Sequence, residues 1–260
     1  MKVINKLINI ELNEGEKIYF SSDNHLGAPN YDESIIREKR FVKWLDFIKE
    51  DAKVIFLLGD LFDFWFEYKN VIPKDNLRFL STISNLIDEG ITIHYFIGNH
   101  DLWVINYFKE LGIKVYDKPQ NFKINEKILL IGHGDGLGKG DTGYKFLKGI
   151  FKNKFCQFLF RWIHPDIGIP LGRFLSGSKS RMEITEKAKI NDKRILEYCT
   201  TYNIKNPTDI FVFGHSHYVN KKNISNTSTY YNCGEWINNS FYLESNGEKY
   251  ELKEFKSPLI

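Results

Sequence analysis

The chain has 260 residues, of which 42% are hydrophobic and 27% charged, with a formal net charge of +3. That length supports one large domain or two small ones with a substantial buried core, and the composition excludes a disordered chain. A total charge so close to neutral gives no sign of nucleic-acid binding and leaves any anion-binding role to local charge.

The first segment, MKVINKLINIELNEGEK, lacks the apolar run of a signal peptide, and acidic residues follow quickly. Lys17–Ser22, Lys53–Leu58 and Ile91–Ile97 are short apolar runs that predict buried strands. Between them, Glu33–Glu50 and Lys74–Glu89 carry apolar residues at three- and four-residue steps, the mark of amphipathic helices. Leu102–Leu111 reads as a further helix, followed by strands at Lys114–Tyr116, Asn121–Ile124 and Lys127–Ile131. From about residue 140 to 202 the chain turns helical and basic, interrupted by Pro165 and Pro170. Strand patterns return at Asp209–Phe213, Tyr218–Asn223, Thr227–Asn232, Ser240–Glu244 and Lys249–Glu254. Strands alternating with helices predict an α/β layered fold, and the absence of a linker predicts a single domain over 1–260 with a helical insertion. Cys156, Cys199 and Cys233 form no CxxC and read as apolar filler in a reducing compartment. No run of about 18 uncharged apolar residues occurs, so no transmembrane helix is expected.

Polar residues cluster just after the apolar runs, as SSDNHLG, LLGDLFD, FIGNHD, LIGHGDG and FVFGHSH. In open α/β sheets, sites form outside the carboxyl ends of strands, so these segments converge. Each alone is an ordinary turn; together, in this order, they deliver Asp23, His25, Asp60, Asn99, His133, His215 and His217. Carboxylate, imidazole and amide oxygen suit divalent ions such as Mn²⁺, Fe²⁺ or Zn²⁺. Seven donors are too many for one ion and suit two ions sharing a carboxylate. The glycines before Asp60, Asn99, His133 and His215 allow sharp turns and a close approach of backbone to phosphate. No P-loop is present.

These segments resemble the calcineurin-like metallophosphoesterases, whose pattern is DxH, GDxxD, GNH[DE], a later His turn and GHxH. Here they are Asp23–Asn24–His25, Gly59–Asp60–Leu61–Phe62–Asp63, Gly98–Asn99–His100–Asp101, Gly132–His133 and Gly214–His215–Ser216–His217. The resemblance implies a four-layer α/β sandwich of two central mixed sheets flanked by helices. It implies one metal on Asp23, His25 and His217, another on Asn99, His133 and His215, and Asp60 between them. It also implies that His100 handles phosphoryl charge or the leaving oxygen, that Asp101 orients His100, and that Asp63 stands behind a ligand.

SDNHLG, GDLFDFWFEY, HGDGLG, YNCGEW and the insertion further resemble the UDP-2,3-diacylglucosamine diphosphatases of lipid A biosynthesis. That resemblance implies a nucleotide-linked glycolipid substrate, cleaved to UMP and 2,3-diacylglucosamine 1-phosphate, with manganese as cofactor. It implies a cytoplasmic protein peripheral to the inner face of the membrane. One departure is GNHD, with His100 where the lipid enzymes carry Arg. The insertion interleaves Phe146, Phe151, Phe155 and Trp162 with Lys145, Lys148 and Arg161, a basic amphipathic pattern fit for a lipid interface or a lid. Such a stretch can also pack on a core or bind single-stranded nucleic acid, although no nucleic-acid module accompanies it. A related phosphoesterase for another phosphomonoester, phosphodiester or nucleotide conjugate, and a non-catalytic metal-binding scaffold, are the competing readings. The sequence assigns no oligomeric state.

Overall fold

The protein is described from a computed structural model over residues 7–138, 148–176 and 186–256. Two mixed sheets of six strands stack at its centre. The first contains β1 (Ile8–Ile10), β6 (Gln120–Ile124), β7 (Lys127–Ile131), β8 (Ile210–Phe213), β9 (Asn220–Asn223) and β10 (Thr229–Asn232), ordered β1-β6-β7-β8-β10-β9. The second contains β2 (Lys17–Ser21), β3 (Ala52–Leu57), β4 (Thr92–Phe96), β5 (Lys114–Tyr116), β11 (Phe241–Ser245) and β12 (Tyr250–Glu254), ordered β12-β11-β2-β3-β4-β5. Strands β2 to β5 run parallel, as do β7, β8 and β10. Parallel strands are buried on both faces, which accounts for the near-continuous apolar runs in β2, β3 and β4.

The period of two in each strand sorts side chains between two cores. Ile18, Phe20, Val54, Phe56 and Phe96 face the other sheet and pack with Phe122, Leu129, Ile131 and Val212. Their alternates Tyr19, Ile55, Leu57 and Tyr95 face α1 (Tyr31–Ile48) and α2 (Leu77–Asp88), meeting Phe41, Trp44, Leu45 and Ile83. Asn30 caps α1 by accepting from the Glu33 N–H, while Glu33 accepts from the Asn30 amide. On the far face of the first sheet, Leu130, Phe211 and Phe213 pack against Ile195 and Cys199 of α6 (Glu186–Lys205). Helices, sheet, sheet and helix make the expected four layers. The expected insertion therefore divides: α6 is a structural layer, whereas α4 (Lys154–Arg161) and α5 (Pro165–Ser176) stand outside it.

The expected helix over Leu102–Leu111 shortens to α3 (Tyr107–Glu110). The buried Glu67 carboxylate accepts from the N–H groups of Ile105, Asn106 and Tyr107 at 2.9, 2.6 and 3.1 Å, holding the preceding chain out of helical geometry. Trp103 instead bridges Phe66 in β fashion. Replacing Glu67 by Ala strips three backbone donors of a charged acceptor and is expected to cost about 3 kcal/mol in denaturant unfolding. A loss below about 0.5 kcal/mol, within the range of ordinary surface substitutions, would show that this carboxylate does not hold the segment.

Candidate metal centre

The carboxyl ends of β2, β3 and β4 in one sheet and of β7 and β8 in the other face one another. Asp23 and His25 follow β2, Asp60 follows β3, Asn99 follows β4, His133 follows β7, and His215 and His217 follow β8. Asp23, His25, Asp60, His215 and His217 all have positive φ, between 44° and 66°. Left-handed backbone at non-glycine residues is costly and persists where the surroundings over-determine it. The neighbouring glycines serve ligand packing: a Cβ on Gly59 would lie 2.6 Å from His133 Nδ1, and one on Gly98 would strike the Asp60 carboxylate. The close approach they permit is between ligand loops.

The donor atoms form two groups that share Asp60: Asp23, His25, Asp60 and His217 on one side, and Asp60, His133 and His215 on the other. His25 Nε2 lies 3.1 Å from His217 Nε2 and 3.8 Å from Asp60 Oδ2, and His217 Nε2 lies 3.2 Å from Asp23 Oδ1. On the other side, His133 Nε2 lies 3.5 Å from Asp60 Oδ2 and 3.2 Å from Asn99 Oδ1. His133 Nδ1 donates to the Leu58 carbonyl at 2.7 Å, which fixes the tautomer and turns Nε2 inward. Asp23, His25, Asp60 and His133 are buried, whereas Asn99, His100, His215 and His217 are partly exposed and form the open side.

The electrostatics fit divalent cations. Asp23 Oδ1 is buried with His217 Nε2 at 3.2 Å and His25 Nε2 at 3.9 Å, and a carboxylate oxygen so buried needs positive charge beside it. Burial works against the charged Asp60 carboxylate, but His133, His100 and His25 hold its pKa well below the usual range. Burial alone would depress His133, yet Asp60, Asp23 and Asp135 push it up to about 10. His215, depressed by burial and by His133, falls to about 4. Without cations, charge balance falls to His133, which keeps its proton beside Asp60, while His215 does not. Donor types and charge balance together make the residues fit two divalent ions.

The surrounding residues act on ligand orientation. Asp63 Oδ1 stands 3.7 Å from His25 Nδ1, and Asp63 Oδ2 accepts from Ser176 of the insertion at 2.7 Å. His100 packs edge-on against His25, donates its N–H to Asp60 Oδ1 at 2.8 Å, and places Nδ1 3.1 Å from the Asp63 carbonyl. Asp101 does not take the role expected of it. Its fully buried carboxylate accepts from the N–H groups of Leu61 and Gly98 and from the Tyr95 hydroxyl, tying the β3 and β4 loops together. Orientation of His100 falls to the Asp63 carbonyl instead.

Arg37 of α1 donates to the carbonyls of Asn24, His25 and Ala28, pinning the DxH loop, and Trp236 of YNCGEW donates its N–H to the Asp23 carbonyl. Beneath GHSH, the Asp192 carboxylate accepts from Ser216, Asn220 and Tyr230, and Asn232 donates to the Gly214 carbonyl. Sequence reading missed Arg37 and Asp192. The available signal was a charged residue at core spacing, Arg37 among Ser34, Phe41 and Trp44, and Asp192 among Ala188, Ile195 and Cys199. Asp135, quoted within HGDG but given no role, pairs with Lys148.

The expected lid residues separate. Lys145 and Phe146 lie outside the described residues. Phe151 packs on Trp103 and its carbonyl accepts from the indole N–H at 2.5 Å. Phe155, Arg161 and Trp162 face solvent on α4.

A family model described as calcineurin-like phosphoesterase matches residues 16–219. A curated UDP-2,3-diacylglucosamine hydrolase from Porphyromonas gingivalis is 30% identical over 260 residues, covering 92% of this chain and 98% of that protein. Proteins of the same name from Actinobacillus succinogenes and Haemophilus influenzae are 24% and 26% identical, covering 88% and 76% of this chain and 95% and 82% of theirs. The zinc complex of Vps29 from Entamoeba histolytica superposes with a TM-score of 0.44 at 12% identity, over 92% of this chain and 99% of that one, too loose a likeness to argue from.

Metal ligands must be unprotonated, so cation binding here must expel the His133 proton, held up to about 10 by Asp60. Calorimetric titration of the metal-free protein with Mn²⁺ at pH 7.5, in buffers of different ionisation enthalpy, should show release of about one proton or more per chain, with affinity rising as pH rises. Binding with no proton release would contradict this charge balance.

Proposed function

The chain belongs to the calcineurin-like phosphoesterase family and is a metal-dependent hydrolase, and from that premise we propose that it cleaves the pyrophosphate of UDP-2,3-diacylglucosamine. The products are UMP and 2,3-diacylglucosamine 1-phosphate. The observation that carries the lipid substrate is the outer face of the insertion. On α4 and α5, Phe155, Phe158, Trp162, Ile167, Phe174 and Leu175 are all more than half exposed, with Trp162 at 77% and Phe174 at 81%. An exposed apolar group of this kind marks a binding or membrane surface, and Lys154 and Arg161 on α4 favour an anionic interface. Among the described residues no helix is long and apolar enough to cross a membrane. In this reading the protein works in the cytoplasm, lying on the inner face of the membrane with acyl chains against the insertion.

Asp23, His25, Asp60 and His217 would hold one cation and Asp60, Asn99, His133 and His215 the other, with Mn²⁺ as the proposed ion. When bound, such a pair lowers the pKa of a water and neutralises charge on the phosphoryl oxygens. The chain's own residues set the geometry. The Leu58 carbonyl fixes the ring of His133, and Asp63 stands 3.7 Å from His25 Nδ1. His100, its Nδ1 donating to the Asp63 carbonyl, would, with Nε2 also protonated, donate to a phosphoryl oxygen and steady the charge that grows there. Water adds at phosphorus as the bond to the bridging oxygen breaks, and no serine or cysteine nucleophile takes part.

Detergent-solubilised UDP-2,3-diacylglucosamine with Mn²⁺ is expected to yield UMP, at a rate that Asp60→Ala lowers by at least about a thousandfold, the scale of losing preorganised charge stabilisation. Flotation with anionic liposomes should carry the wild-type chain upward and leave a Trp162→Asp, Phe174→Asp variant behind. Metal-dependent hydrolysis of aryl phosphates with none of the lipid would overturn the substrate, in favour of a phosphoesterase for another substrate. A chain that stays at the bottom of the gradient would overturn the membrane position.

A further inference from the structure

Beside His133, lined by no residue of α4 or α5, the structure holds a cavity of about 210 Å³. One wall is Ile97, Tyr116 and Pro119, from the ends of β4 and β5. The lining also includes three lysines: Lys148 and Lys152 from the turn of helix that opens the described insertion, and Lys118. Asp135 pairs with Lys148, and Asp117 stands 3.6 Å from Lys152. Among the described lining residues, three lysines stand against these two aspartates. The lining includes His133, whose Nε2 faces Asp60 and Asn99, so a group seated here borders the second donor group.

Size and placement decide what that group is. Pockets for drug-sized ligands span roughly 300–1,000 Å³, so this cavity takes one compact group and not a pair of acyl chains. The same short helical turn separates the two halves of the insertion: Phe151 points to Trp103 and the aromatic side, while Lys148 and Lys152 line the cavity. A substrate with an anionic, flat-ringed end and an apolar end is matched by this division, the cleaved bond lying between. We propose that the cavity is the subsite for the nucleoside monophosphate half of the substrate, with Lys148 and Lys152 on its phosphate and Tyr116, Pro119 and Ile97 against its ring. The assignment rests on the UDP-linked reading above, and adds where the nucleotide sits and which residues select it.

The test is calorimetric binding of UMP, uridine and inorganic phosphate to the full-length, Mn²⁺-loaded chain, beside steady-state hydrolysis of UDP-2,3-diacylglucosamine. UMP is expected to bind at least about tenfold more tightly than phosphate. Lys152→Ala is expected to weaken UMP about tenfold, the scale of one charge-assisted hydrogen bond, and Lys152→Glu to weaken it further. KM should rise in step while kcat stays within about twofold. UMP binding no better than phosphate, or unchanged in both variants while the lipid is still cleaved, overturns the subsite and leaves the hydrolase reading standing. A wild-type chain that binds UMP with this dependence on Lys152 yet leaves the lipid intact overturns the substrate and supports the nucleotide site.

Discussion

Asp60 is buried at the end of β3 with the imidazoles of His25, His100 and His133 around its carboxylate. A buried carboxylate survives only where positive charge and hydrogen bonds compensate it, and here the His100 N–H and the surrounding rings supply both. Much of the molecule serves that arrangement. Two sheets bring strand ends from opposite sides, strained left-handed residues turn the ligands inward, and glycines keep side chains out of the gap. Arg37, Asp101, Asp192 and Trp236 then tie the ligand loops to α1, to each other, to α6 and to the end of β10.

Chemistry and selectivity occupy different parts of the chain. The inner ligands belong to rigid strand ends common to a large family, so they speak for the reaction and say little about the substrate. In the proposed reading the substrate-facing features belong to the insertion, whose first described helical turn borders a cavity lined by lysines and whose later helices carry exposed apolar residues. These outer parts are not isolated from the centre. Ser176, at the end of α5, donates to the carboxylate of Asp63, which stands against His25. Gly168 and Gly172 let α5 press closely on Tyr68 and Phe64, since a Cβ at either would strike those rings. The insertion is thus docked on the same loop that supplies Asp60.

The central strands were legible because parallel strands buried on both faces write unbroken apolar runs, and the candidate ligands because they follow those runs directly. Features set by distant partners were not. The chain from Leu102 has helical spacing, but Glu67, 38 to 40 positions away, takes the N–H groups that would have started the helix earlier. Asp101 adjoins His100 in the chain, which invites pairing, yet its carboxylate reaches Leu61 across 40 positions. The basic helical stretch was visible as one block. Its division into α6, packed under the first sheet through Ile195 and Cys199, and α4 and α5, facing outward, follows from packing that periodicity alone does not encode.

The shared position of Asp60 between the two donor groups is most directly tested by counting bound metal. Metal analysis of chain dialysed against Mn²⁺ should find two ions per wild-type chain, about one in Asp23→Ala, where only one group is damaged, and fewer in Asp60→Ala, where both are. One ion in the wild-type chain, or two retained in Asp60→Ala, would contradict a carboxylate held in common.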